Sequence, residues 1–371
     1  MTTFTGPPAG AIRKRSLTAG VLPAAAAVAY LALASGVPSI AQADQPLAVS
    51  GRLVGKVKDG EFKKSEDVSG IACAGGPAVY PRICLLADDE TQGAQVVILH
   101  QDRLVAGDFI PLIDSSFDGK PLELDAEGVA YADGFFYVIG SHGRPRHGEP
   151  SEEAMNAARA AAAAHVFRIK LDPAAISLET GAVSRALEIN GSTSLARLIS
   201  GDATLAPFHD QPLDANGLTI EGVAARGPTL YAGLRGPVLA DGSAVIVSAP
   251  IHAIFDGGDS QLTLEPVMLG TDTLGHVRGI RDLVAFDDGL LIIAGPVQDP
   301  DPSHGIALGD YAIYLKNSSG LRKLADLQAY GPETKPEALL VTGQSGQSLA
   351  TLILFDGPKE GEPRLLELGL R

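Results

Sequence analysis

The sequence predicts an all-β protein built as a single β-propeller, and three observations lead there. A two-strand motif recurs five times along the 371 residues. The spacing of its copies is close to the roughly 50 residues that a four-stranded propeller blade occupies. The 43 glycines and 25 prolines are spread along the chain, as many short strands joined by turns require. Hydrophobic residues make up 45%, so the chain can bury a large core and is not read as disordered.

In chain order, residues 1–43 read as a secretory signal peptide and 44–371 as the propeller domain. Arg13, Lys14 and Arg15 supply a positive start, Leu17 to Gly36 an Ala-rich apolar stretch interrupted by Pro23, and Ala41-Gln42-Ala43 a small-x-small cleavage site. Periplasmic or secreted localisation follows, with the export route left open. No later stretch reaches the length of about 20 apolar residues that a membrane span needs. The first 43 residues carry three cations and no acid, so their removal takes the formal charge from −15 to −18. So acidic a chain repels phosphate backbones and anionic lipid, which argues against nucleic-acid and membrane-surface partners and favours cations or cationic ligands. A monomer is expected.

The five motif copies begin at Val68, Ala126, Ile220, Ile280 and Lys335. Each opens with a polar or acidic position and a short apolar strand, turns through Gly, Asp or Pro, and ends a second strand in a Gly, Asp or Arg cluster. The interval from Glu221 to Asp282 is 61 residues and from Asp282 to Glu337 is 55, whereas Glu127 to Glu221 spans 94. The long interval holds an Ala-rich helical insertion at about 150–165, with Ser151 as candidate N-cap, read as a surface decoration or a lid. Five blades are counted, and a sixth in that interval is left open. "LAVSGRLVG", after the signal, could close the ring against the last blade. Cys73 and Cys84 flank the turn-like "AGGPAVYPRI" and are expected to face each other in a disulfide.

Antiparallel pairing places the start of each first strand beside the end of its second. In a propeller the first strand is innermost, so these ends should meet around one mouth of the channel and the turns should lie at the other. Glu127, Glu221, Asp282 and Glu337 would crowd there. Two carboxylates about 5 Å apart repel by roughly 3 kcal/mol at an effective dielectric near 20, so they need protons, a cation or basic partners. Arg144, Arg235, Arg281 and Lys335 stand at matching positions and could supply the partners. His142 joins Arg144 as a candidate ligand contact in "GSHGR", with His147 nearby. If the acids held a metal, Glu127, Glu221, Asp88 and Asp89 would be the candidate ligands and calcium the expected ion.

The sequence contains no Gly-x-Ser-x-Gly elbow, no His-Glu-x-x-His and no phosphate-cradling P-loop. With no Trp and 5% aromatics, a sugar-stacking lectin is disfavoured.

The pieces "LADDE", "DAEGVAY", "GSHGR", "IEGVA", "YAGLRGP", "GIRDL", "IIAGPV" and "KPEALL", in this order, resemble the bacterial family catalogued as domain of unknown function 3616. They are also distantly similar to the propellers called the esterase-like phytase group. The resemblance implies an exported propeller and supplies no established activity; the second group's name implies ester or phosphoester hydrolysis. "KPEALL", with Ala where Gly is expected after the acid, and the helical insertion depart from the pattern. The function expected is the binding of a small polar or ionic ligand at the channel mouth. The alternatives are a metal-assisted hydrolase of phosphate or carboxylic esters and a protein-interaction scaffold.

Overall fold

Five of the sheets stand around a central channel as blades, each with four strands or three followed by an N-terminal strand, antiparallel except where Ser39–Ile40 and Ala48–Ser50 add parallel edges; two short two-stranded hairpins lie outside the blades. The computed structural model describes residues 39–40, 42–145, 152–258, 260–300 and 303–370. The inner strands are Val68–Cys73, Ala126–Ala132, Thr219–Arg226, Arg278–Phe286 and Lys335–Ser345. All five overlap the start of a copy of the recurring motif. There is no sixth blade among the described residues. The long interval instead carries the helix Glu153–Ala163 between the second and third strands of blade 2, and the helical turns 194–215 ahead of blade 3. Ser151, the expected N-cap, lies outside the described residues; Glu152 holds that position and makes no side-chain capping bond.

The core is divided into five apolar seams, one between each pair of neighbouring blades. Alternation along a strand explains the division, because successive side chains leave opposite faces of a sheet. In the second strand of blade 1, Ile83, Leu85 and Ala87 enter the seam with blade 2, while Cys84 and Leu86 enter the seam with blade 5. Blade 2 repeats the rule, with Phe136 and Val138 on one side and Tyr137 and Ile139 on the other. Blades buried on both faces read as continuous apolar runs, which is why "RICLLAD" and "GAQVVIL" are buried throughout.

Ring closure differs in detail from the sequence expectation. Gln42–Pro46 pairs with Arg364–Gly369, the third strand of blade 5, and so supplies that blade's outermost strand. Ala48–Ser50, inside "LAVSGRLVG", pairs parallel to the outer strand of blade 1 instead. The N-terminal segment therefore clasps the first and last blades in succession. The expected cut after Ala43 falls inside the closing strand and leaves its Gln45–Leu365 and Pro46–Arg364 pairs. The rest of the expected signal, residues 1–38 and 41, lies outside the described residues. Cys73 and Cys84 are directly opposed on the first hairpin and form a buried disulfide with Cα atoms 3.9 Å apart. Among the described residues no helix is long and apolar enough to cross a membrane.

Candidate functional site

The inner strands share a one-residue irregularity at the same level, where Ser69, Glu127, Glu221, Arg281 and Glu337 are skipped by the pairing register. A bulge of this kind re-aims its extra residue, and here four of the five side chains line one cavity at the channel mouth. The next residue in each strand faces the neighbouring blade at close range. A β-carbon on Gly70 would lie 2.7 Å from the Gly128 Cα, and one on Gly222 would lie 2.5 Å from the Leu283 nitrogen, so no larger side chain fits.

Asp282 is corrected by this register. It stands one residue beyond the bulge, at the level of those glycines, and turns away from the mouth. Its two oxygens accept hydrogen bonds from the Leu283 and Leu339 backbone nitrogens, both at 2.7 Å, which ties blade 4 to blade 5. Burial raises its pKa well above the ordinary carboxylate value, against the pull of those two N–H groups. Arg281 takes the place at the mouth that the spacing had assigned to Asp282.

The cavity has a volume of about 390 Å³ and is lined by eight acidic and five basic side chains. Blades 3, 4 and 5 hold a buried ion network. Arg281 Nε lies 3.0 Å from Glu221 Oε2, and Arg281 Nη2 bonds Glu337 Oε1. Arg235 reaches Glu221 Oε1 at 2.7 Å and Asp299 at 2.9 Å. Burial opposes the charge of Arg235, but Glu221 and Asp299 outweigh it and raise its pKa. Lys335 pairs with Asp356.

The other side of the mouth is charged differently. Asp89, Asp125 and Glu127 each bring a carboxylate oxygen within 4.8 Å of the other two. Burial, followed by the charges of Glu221 and Asp125, pushes the Glu127 carboxyl well above its usual range; Asp89 rises through burial and then Glu127 and Asp125. Arg144 does not offset Glu127 as the matched positions suggested. It bonds Glu153 of the inserted helix at 3.1 Å and lies 3.8 Å from Asp210. Ser141 donates to Asp125 and accepts from the Gly143 nitrogen at 3.1 Å, fixing the carboxylate's orientation.

Two further candidates lie elsewhere. Asp88, the last residue of its strand, sits beside Gly55 and accepts from the Glu90 nitrogen at 3.2 Å; it is not part of the cavity wall, which Asp89 reaches from the turn that follows. His142 turns into the protein through a left-handed backbone (φ 55°), and its Nδ1 lies 2.8 Å from the Gly140 carbonyl. Burial lowers its pKa to about 4, so it stays neutral. His147 lies outside the described residues.

Spacing did not single out Asp67, Glu123 or Arg159, all of which line the cavity together with Ser141 and Asp356. Arg159 and Ala163 belong to the inserted helix, so that helix walls the mouth, in keeping with the lid reading. The opposite end of the channel holds a smaller cavity, about 190 Å³, lined mostly by apolar residues such as Ile71, Val129, Val223 and Leu283. One mouth is polar and the other is not.

Five blades closed by an N-terminal strand around a channel define a five-bladed β-propeller, with its charged chemistry confined to one mouth. Its family follows from the sequence match. The chain belongs to the family described as protein of unknown function (DUF3616), whose model matches residues 82–365. No curated protein matches it. Similar solved structures include an exo-β-1,3-galactanase from Phanerochaete chrysosporium, 9% identical with a TM-score of 0.42, over 86% of this chain and 63% of that one. The chain thus spans less than two thirds of the galactanase. The Bacillus subtilis arabinanase Arb43A is 10% identical with a TM-score of 0.37, over 82% of this chain and 94% of that one. An endo-arabinanase from Bacillus licheniformis is 9% identical at 0.34, over 85% and 95%.

Proposed function

We propose that the protein is an exported binding module, monomeric and without nucleic-acid partners, that captures a small polar or ionic ligand in the polar mouth of the propeller. The observation that carries this reading is the Glu127 carboxylate. It is 8% exposed, lines the cavity, and makes no hydrogen bond or ion pair among the described residues. A buried carboxyl without a partner leaves its polar atoms unsatisfied, and a bound ligand would relieve it. The disulfide between Cys73 and Cys84 is compatible with export into an oxidising compartment. Thermal unfolding of the chelator-treated protein against a panel of ions, amines, amino acids and sugar acids tests the reading. At least one member should raise the midpoint in the wild type and lose its effect in Glu127→Gln. A panel without any shift sinks it.

A second reading, a metal-assisted hydrolase of phosphate or carboxylic esters, is favoured by the acids beside Arg144, where a cation could activate water and Arg144 clamp an anion. Chromogenic esters assayed with and without chelator separate it from pure binding; no turnover in either condition discards it.

A further inference from the structure

Two overlapping acid triads lie at the mouth, Asp89–Asp125–Glu127 and Glu127–Glu221–Glu337. They differ in what already neutralises them. Glu221 and Glu337 are paired with Arg235 and Arg281, and their charge is spent inside the ion network. No ion pair to Asp89 or Glu127 exists among the described residues. Two observations independent of the clustering point to a ligand. Glu127 is more than nine-tenths buried, faces the cavity and is unpartnered among the described residues. The Asp89 Oδ1 atom is likewise buried and accepts no hydrogen bond among them.

We propose that Asp89, Asp125 and Glu127 form a binding site for a hard divalent cation of the Ca²⁺ class. The proposal deepens the binding-module reading and rests on it. The donor set is entirely carboxylate, with no imidazole or thiolate in the triad, and such ligands select Ca²⁺-type ions over zinc or copper. Oxygens no more than 4.8 Å apart can share one ion, since Ca²⁺ sits roughly 2.4 Å from each ligand. The hydroxyl of Ser141 holds Asp125 in place from behind, the kind of outer support that orients a ligating carboxylate. Three negative charges against two positive leave the site slightly anionic, and Arg144 and Arg159 on the same cavity wall could hold an anion brought to the open face of the ion.

The test is calorimetric titration of CaCl₂ into the full chain after dialysis against chelator, in parallel with thermal unfolding. One Ca²⁺ per chain should bind and raise the unfolding midpoint. Glu127→Gln and Asp89→Asn should each weaken binding at least tenfold. Glu179→Gln, which removes an exposed acid outside the cavity, should change it less than threefold. Asp89 is only partly buried, so its variant keeps the test open if Glu127→Gln folds poorly. The proposal is overturned if the wild type takes up no Ca²⁺, if Asp89→Asn binds as tightly as wild type, or if Zn²⁺ binds more tightly than Ca²⁺. A metal-independent shift with an organic ligand alongside absent Ca²⁺ binding would remove the cation site and leave the binding module standing.

Discussion

Arg281 joins two carboxylates inside the protein, and removing it offers the sharpest test of how the mouth is held. The side chains of Arg281, Glu221 and Glu337 are 1%, 3% and 5% exposed. At 3.0 Å and an effective dielectric near 20, the Arg281–Glu221 contact is worth about 5.5 kcal/mol of Coulomb energy, and desolvating the guanidinium returns part of it. In Arg281→Met, Glu221 keeps Arg235, whereas Glu337 is left without a cation partner among the described residues. The expected loss is therefore that of one stranded buried carboxylate, about 4 kcal/mol. At about 2 °C per kcal/mol for a domain of this size, the midpoint should fall by about 8 °C. The double variant Arg281→Met/Glu337→Gln removes the stranded charge and should recover at least half. Urea and thermal unfolding followed by circular dichroism measure both. A single variant within 1 kcal/mol of wild type, or a double variant no better than the single, refutes the reasoning.

Three other outcomes follow from the geometry. His142 has its pKa lowered to about 4 from an ordinary 6.5, so the native state binds fewer protons than the unfolded state between those values. Its contribution is present above pH 6.5 and lost as pH falls towards 4, about 3 kcal/mol in all, and a stability–pH curve of His142→Gln should be flatter than wild type across that window. Asp282→Ala strips two buried backbone N–H groups of their acceptor and should cost about 2–5 kcal/mol while leaving Ca²⁺ affinity within threefold; a large change in affinity would return Asp282 to the site. Replacing Cys73 and Cys84 by Ala opens a loop closed across 11 residues and should cost about 3 kcal/mol in chain entropy, read from the urea midpoint against the oxidised protein.

The scaffold is legible in the sequence because each hairpin announces itself twice, by a run of apolar residues and by a turn. The Cys73–Cys84 pairing is legible for the same reason. The register at the mouth is not. A bulge adds one residue to one strand without changing composition, so "IRDL" offers Arg281 and Asp282 as equal candidates, and alignment on charge alone selects the acid. Strand pairing decides for Arg281. The choice between Asp88 and Asp89 is settled by where the strand ends, since Asp88 closes it and Asp89 stands in the turn beyond. Asp67 and Arg159 escape notice because they reach the cavity from a connecting segment and an inserted helix. Only the closed ring brings these places together. The 94-residue interval misleads in the opposite sense, since helical turns occupy the length a further blade would need.

The shared bulge has a consequence for how such a protein can change. Four of its five residues line the polar mouth, whereas the five seams are built by their neighbours, so the charge of the mouth is set by side chains that the seams do not use. Ser69 is the neutral member of the set, beside three glutamates and one arginine. A different polar letter at one of the four lining positions would shift the charge offered to an incoming molecule, and a family drawn on this plan could address dissimilar cargoes from a common frame.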